Sequence, residues 1–95
     1  MIEFQWDLQK AETNTKKHGI SFEEAKTVFY DEKALLINDP DHSEIEDRYI
    51  LLGMSHKIRL LVVCHCYPER EDTIRIISVR KASKTEQMRY KESLQ

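Results

Sequence analysis

Residues that break regular structure are scarce. Two glycines and two prolines in 95 residues exclude a collagen-like chain and a Pro/Gly-rich disordered one, and leave room for a densely packed globular domain. No apolar run approaches the roughly 18 residues that a membrane-spanning helix needs, and Met1-Ile2-Glu3-Phe4 lacks the basic and apolar regions of a secretory leader. A cytoplasmic protein with no membrane attachment is therefore expected. The two cysteines, Cys64 and Cys66, flank His65 in an apolar run that reads as a strand. Alternation puts both sulfurs on one face, with Cα atoms about 6.5 to 7 Å apart and parallel side-chain vectors, which disfavours a disulfide. Free thiols in a reducing compartment are expected.

Motifs that usually carry chemistry are also missing. There is no glycine-rich phosphate loop, nucleophile elbow, His-Glu-x-x-His or Cys-x-x-Cys, so no cofactor is expected. Strand alternation aims His65 away from Cys64 and Cys66, so at most two ligands converge there and no metal site is expected.

What is present is a charge asymmetry. The chain is 40% hydrophobic and 34% charged, and its length suits one domain over residues 1–95 with one core. Residues 1–47 carry 5 Lys/Arg against 12 Asp/Glu, a net of −7, whereas residues 48–95 carry 10 against 5, a net of +5. From Arg75 to Lys91 there are six basic residues and one acid, Glu86. Such a run meets phosphate or an acidic partner, or simply solvates a terminal helix.

Periodicity supplies the elements. Ile2, Phe4 and Trp6 alternate with polar residues as a first strand. Asp7 caps a helix from Leu8 to about Lys17, which Gly19 ends. Ser21 with Glu24 is a capping box for a second helix whose apolar stripe is Phe22, Ala25, Val28 and Phe29. A short strand from Ala34 to Asn38 precedes a polar loop, Asp39 to Ser43. Arg48–Met54, Lys57–Tyr67 and Thr73–Arg80 read as three hairpin-linked strands, and Ser83 with Glu86 caps a last helix from Lys84 to about Ser93. The order β-α-α-β-β-β-β-α predicts an α+β fold, an antiparallel sheet packed on one face by helices with the other face partly open.

Two arginines and a serine in the strand that holds Arg75, Ser78 and Arg80 are unusual, because charged side chains rarely sit unpaired in buried strands. Phosphate contact explains them; so does pairing with a carboxylate such as Glu46 or Asp47. Ser78 and Arg80 share a face, whereas Arg75 points to the other unless a bulge intervenes. Lys16, Lys17 and His18 end the first helix, where cations complement its dipole, and histidine is also the commonest general acid or base. His42, His56 and His65 pair with no Ser or Cys nucleophile by spacing.

The chain also carries an ordered series of short motifs. Its first half is Phe4-Gln5-Trp6-Asp7, Lys10, Asn14, Lys17-His18-Gly19-Ile20-Ser21-Phe22-Glu23-Glu24-Ala25, Val28-Phe29 and Asp31. Its second half is Glu46-x-Arg48, Gly53-x-Ser55, Leu61-Val62-Val63, Arg75-Ile76-Ile77-Ser78-x-Arg80-Lys81-Ala82, Glu86 and Tyr90, and the whole series resembles the BrnT toxins. Two departures, Val79 in place of a common alanine and Cys64-His65-Cys66 at a strand end, bear on packing more than on chemistry. The resemblance implies a RelE-like fold and an endoribonuclease that cleaves RNA and arrests translation. It also implies a BrnA-type antitoxin partner, through which alone DNA is bound.

The same resemblance implies cleavage without metal, in which the RNA's own 2′-hydroxyl attacks the adjacent phosphate. The protein then supplies a proton acceptor, cations for the pentacoordinate phosphate and a donor for the leaving oxygen. Arg80 is the expected phosphate clamp, assisted by Arg75 or Arg48, since a guanidinium bonds two phosphate oxygens at once. Ser78 adds a hydrogen bond, and Lys17, His18 and Glu46 are the candidates for proton transfer. Two other readings keep the fold: a non-catalytic module whose basic end docks an acidic protein, and a degenerate toxin that only binds its antitoxin.

Overall fold

A computed structural model of the chain describes residues 2–38, 47–68 and 72–95. Among them the element order is β1 (Glu3–Gln5), α1 (Leu8–His18), α2 (Phe22–Thr27), a 3-10 turn (Val28–Tyr30), β2 (Leu35–Asn38), β3 (Arg48–Met54), β4 (Leu60–Cys66), β5 (Thr73–Lys81) and α3 (Lys84–Ser93). The expected order of strands and helices is present. The loop from Asp39 to Ser43 lies outside the described residues, as does Glu46.

Local chemistry accounts for the ends. The Asp7 side chain accepts from the N–H groups of Gln9 and Lys10, and Gly19 at φ 70° closes α1 in the left-handed conformation. Ser83 and Glu86 form the full reciprocal capping box of α3. Ser21 and Glu24 form only half of one: Ser21 Oγ accepts from Glu24 N–H, but the Glu24 carboxylate turns inward to Ser55 and Arg59.

One sheet runs in the order β1-β5-β4-β3-β2. From β2 to β5 every pair is antiparallel, whereas β1 joins the edge parallel to β5. The expected antiparallel sheet thus has one parallel edge, because the α1–α2 excursion returns the chain from the far side. The strand expected from Lys57 begins at Leu60, since Ser55 to Arg59 form the hairpin turn: Ser55 C=O accepts from Ile58 N–H and Arg59 C=O from Ser55 N–H.

Side-chain alternation sorts the sheet into two faces. On one, α1, α2 and the 3-10 turn cover Leu51, Leu61, Val63, Ile76 and Val79, with Ile20, Phe22, Ala25 and Val28 inserted from above and Phe4, Trp6 and Phe29 packed at the margin. On the other, α3 lays Tyr90 against Leu52, Val62 and Ala82. The helices therefore do not all share one face. The reach of α3 is short, so part of the second face stays uncovered by any described element. Gly53 sits where the first face and the 3-10 turn meet: a Cβ there would lie 2.8 Å from Ala34 Cβ and 2.9 Å from Val28 Cγ1, so this position requires glycine.

Candidate active site

The register of β4 and β5 decides where the arginines point. Cys64 pairs with Ser78, but the next residue, His65, pairs with Ile76, so Ile77 is an extra residue in β5. This bulge flips the alternation. Without it Arg75 would face α1 and α2; with it Arg75, Ser78 and Arg80 all share the second face, the one that carries α3, beside Cys66, Cys64 and Val62. Arg48 opposes Cys66 in β3 and joins the same face. The two sulfurs do share a face and form no disulfide, Cys66 buried and Cys64 partly so. His65 points the other way, fully buried against Phe29 with ring centroids 4.8 Å apart. Burial holds its imidazole below the ordinary histidine range.

The bulged strand is held by α1. Asn14, buried in the middle of that helix, donates its amide to Val79 C=O at 2.9 Å and accepts from Val79 N–H at 3.1 Å. It thereby acts as a strand partner where β1 has ended, satisfying the β5 edge. This fixes a groove of about 550 Å³ between helix and strand, lined by Asp7, Lys10, Thr13, Asn14, Lys17, His18, Ile77 and Ser78 among others. A second depression shares Asp7 and Lys10 and is bounded by Gln5, Trp6 and Arg75. With the Gln5 amide oxygen turned toward it, Arg75 donates from Nε and Nη2 at 2.9 and 2.8 Å.

Arg80 is not waiting unpaired. Its Nη1 and Nη2 donate to Glu86 Oε1 and Oε2 at 2.8 and 3.0 Å, a bidentate fork, and Nη1 also reaches Lys81 C=O at 3.2 Å. Its described partner is thus Glu86, a carboxylate the sequence reading does not pair with it; Asp47 is exposed and Glu46 lies outside the described residues. The Arg80 hydrogen bonds hold the Glu86 carboxyl down to about 2, against a smaller opposing effect of burial. The pair remains accessible, with the Arg80 side chain 45% exposed.

Of the residues proposed from sequence, Lys17, His18 and Ser78 line one groove and Arg75 the adjoining depression. Arg80 lies farther along the same strand face, and Arg48 across the sheet. Glu46 falls outside the described residues. Glu86 reads from sequence only as a helix cap, and Lys10 and Asn14 carry chemistry that the sequence reading gives no role. Their signal was the spacing Lys10, Asn14, Lys17, which places them on one face of a helix. Among the described residues no three His, Cys, Asp or Glu side chains gather at one point.

The relationship to known proteins follows the same outline. A family profile described as "Ribonuclease toxin, BrnT, of type II toxin-antitoxin system" matches residues 6–86. The chain belongs to the BrnT family. Among curated proteins none matches the sequence significantly. Among solved structures, the Brucella abortus ribonuclease toxin BrnT is similar with a TM-score of 0.65 and 23% sequence identity, over 88% of this chain and 100% of that one. At that identity the likeness establishes the fold. The BrnT motif residues here have physical reasons: Asn14 bonds the β5 edge, Gly53 admits the 3-10 turn, Glu86 holds Arg80, and Tyr90 anchors α3. No described helix is long and apolar enough to cross a membrane.

Proposed function

We propose that this BrnT-family chain is a metal-independent endoribonuclease that arrests translation in the cytoplasm as one domain, and that a BrnA-type, DNA-binding antitoxin neutralises it. The observation that carries the catalytic reading is the bulge at Ile77. It gathers Arg75, Ser78 and Arg80 on one sheet face, with both arginines exposed, next to a groove holding Lys17 and His18. Guanidinium groups on an accessible strand suit a phosphodiester, and binding there releases counterions.

In this reading the scissile phosphate lies along β5. Arg80 bonds its non-bridging oxygens and Arg75 or Arg48 supplies further positive charge, stabilising the dianionic transition state. Glu86 takes one N–H on each terminal nitrogen of Arg80 and Lys81 C=O a second on Nη1, which leaves Nε and one Nη2 N–H of the five for phosphate. Ser78 donates a hydrogen bond. Lys17, His18 or Glu46 accepts the 2′-hydroxyl proton and a second of them protonates the leaving 5′-oxygen. Asp7 is the carboxylate among the described residues of the groove, and it is committed to capping α1. That donor set suits an anion far better than a divalent cation.

The test is cleavage of a short single-stranded RNA in EDTA beside the same strand carrying one 2′-deoxy nucleotide at the scission site. The all-ribose strand should be cut to a 2′,3′-cyclic phosphate and a 5′-hydroxyl, and the substituted strand should survive. Cutting of the substituted strand, or loss of activity in EDTA restored by Mg²⁺, would sink the mechanism.

A further inference from the structure

At the end of the sheet away from Arg48 and Arg75, the β3–β4 hairpin carries a residue that its backbone disfavours. Ile58 has φ 59°, in the left-handed region, and is the non-glycine residue there among the described positions. Hairpins of this kind, a turn followed by one left-handed residue, place glycine or asparagine at that point because a side chain is strained there, a β-branched one most of all. Isoleucine here is also 82% exposed. The chain thus keeps a large apolar side chain in water, on a strained backbone, where a small polar residue would fit better.

Ile58 stands at the mouth of a second groove, of about 570 Å³, between the hairpin and α3. Met54, Leu60 and Leu94 extend its apolar floor and rim, while Lys81 and Lys91 stand on its edges. No carboxylate lines it among the described residues; its remaining cation, Arg59, is engaged by Glu24. The wall is built in advance. Tyr90 donates its hydroxyl to Asp31 Oδ2 at 2.6 Å, and that oxygen also accepts from Met54 N–H at 2.8 Å, fixing α3 to the base of β3. A preformed apolar floor flanked by lysines fits one kind of occupant, an amphipathic segment that is apolar on one side and acidic on the other.

We infer that the groove between the Ser55–Arg59 hairpin and α3 is a docking site for an acidic, amphipathic segment of the antitoxin, with Ile58 as its apolar anchor. This rests on the chain having an antitoxin partner, and it does not depend on where RNA is cut. Ile58 fills a gap between apolar groups of the partner, and Lys81 and Lys91 meet its carboxylates. The strain at Ile58 is retained because the partner contact uses the side chain. Neutralisation then has an anchor at the hairpin end of the second sheet face, and none of the residues lining it is assigned to cleavage.

The experiment measures affinity of the purified full-length chain for the antitoxin encoded by the adjacent gene, for wild type, Ile58→Asn and Lys91→Glu. Thermal midpoints of each free chain are measured alongside. Because asparagine tolerates the left-handed region, Ile58→Asn should raise the midpoint while weakening antitoxin binding by about tenfold or more. Lys91→Glu should weaken binding and flatten its salt dependence. RNA cleavage by the free Ile58→Asn chain should match wild type. Unchanged affinity in both variants would overturn the docking assignment and leave the ribonuclease reading intact. Loss of self-association in Ile58→Asn with antitoxin affinity unchanged would equally overturn it, giving the groove to a second copy. A wild-type chain that binds no antitoxin would overturn both this inference and the partner assignment.

Discussion

Two arginine–glutamate pairs sit at opposite levels of burial in this small fold, and they do different work. Glu24 is 1% exposed and meets Arg59 through a fork, with Arg59 Nε at 2.9 Å from Oε2 and Ser55 Oγ donating to the same oxygen at 2.7 Å. The Arg59 hydrogen bonds hold its carboxyl below the ordinary range in spite of opposing burial. The pair ties α2 to the β3–β4 hairpin, and nothing outside the protein can reach the carboxylate. Glu86 makes an end-on fork with Arg80 through Nη1 and Nη2, where Arg59 uses Nε and Nη2, and it does so at the surface, where a phosphate can approach the guanidinium. Burial separates a pair that holds the fold from one that presents a cation.

The sharpest way to break the comparison is to remove both arginines in turn. Arg59→Ala strands a buried carboxylate, and the thermal midpoint should drop by roughly 10 °C or more. In Arg80→Ala a half-exposed, solvent-screened pair is lost, so stability should stay within about 1 kcal/mol while the cleavage rate falls on the order of a hundredfold. Circular dichroism melts and single-turnover cleavage below the melting range read the two effects separately. Equal losses of stability would erase the distinction.

A neutral change at the buried end separates charge from packing. Gly53→Ala forces a methyl group against Val28 and Ala34 and should cost about 1 to 3 kcal/mol by denaturant unfolding. Cleavage by the folded fraction should be unchanged. A matching loss of rate would mean that any strain near the first core disables the site.

The smallest expected effect is the pH response of Glu86. Its folded value of about 2 lies below the ordinary 4.5, so its contribution is full above about pH 4.5 and is lost as pH falls toward 2. The midpoint difference between wild type and Glu86→Gln should therefore shrink across that interval, and high salt should shrink it at neutral pH too. On the alkaline side, burial first and then Asp31 push the Tyr90 hydroxyl up to about 12 from 10. Stability from that bond is present below pH 10 and fades as pH rises toward 12. A Tyr90→Phe chain should lack this alkaline loss.

Much of this was legible before any coordinates, and the reason is periodicity. The stripes of α2, the alternation of β3 to β5 and the Ser83–Glu86 box are local signals, and local signals survive in one sequence. What could not be read depends on partners far apart in the chain. The parallel edge at β1, the inward turn of Glu24 and the reach of Tyr90 to Asp31 all pair distant segments. For the site, the arginines and serine stood out as charges in a strand, but their common face rests on one extra residue. Ile77 looks like any other apolar strand residue, so the bulge that unites Arg75 with Arg80 has no local mark. The Glu86 partner was masked because its capping role already explained it.

In the proposed function RNA lies along β5 and the α1 groove. The direct measurement is a two-dimensional NMR titration of the labelled chain with an RNA strand made uncleavable by one 2′-deoxy nucleotide at the scission site. The account predicts saturable shifts at Lys17, His18, Arg75, Ser78 and Arg80, weakening with salt, and none at Glu24, Ser55 or Arg59. Shifts confined to the Arg59 end, or absent from β5, would contradict it.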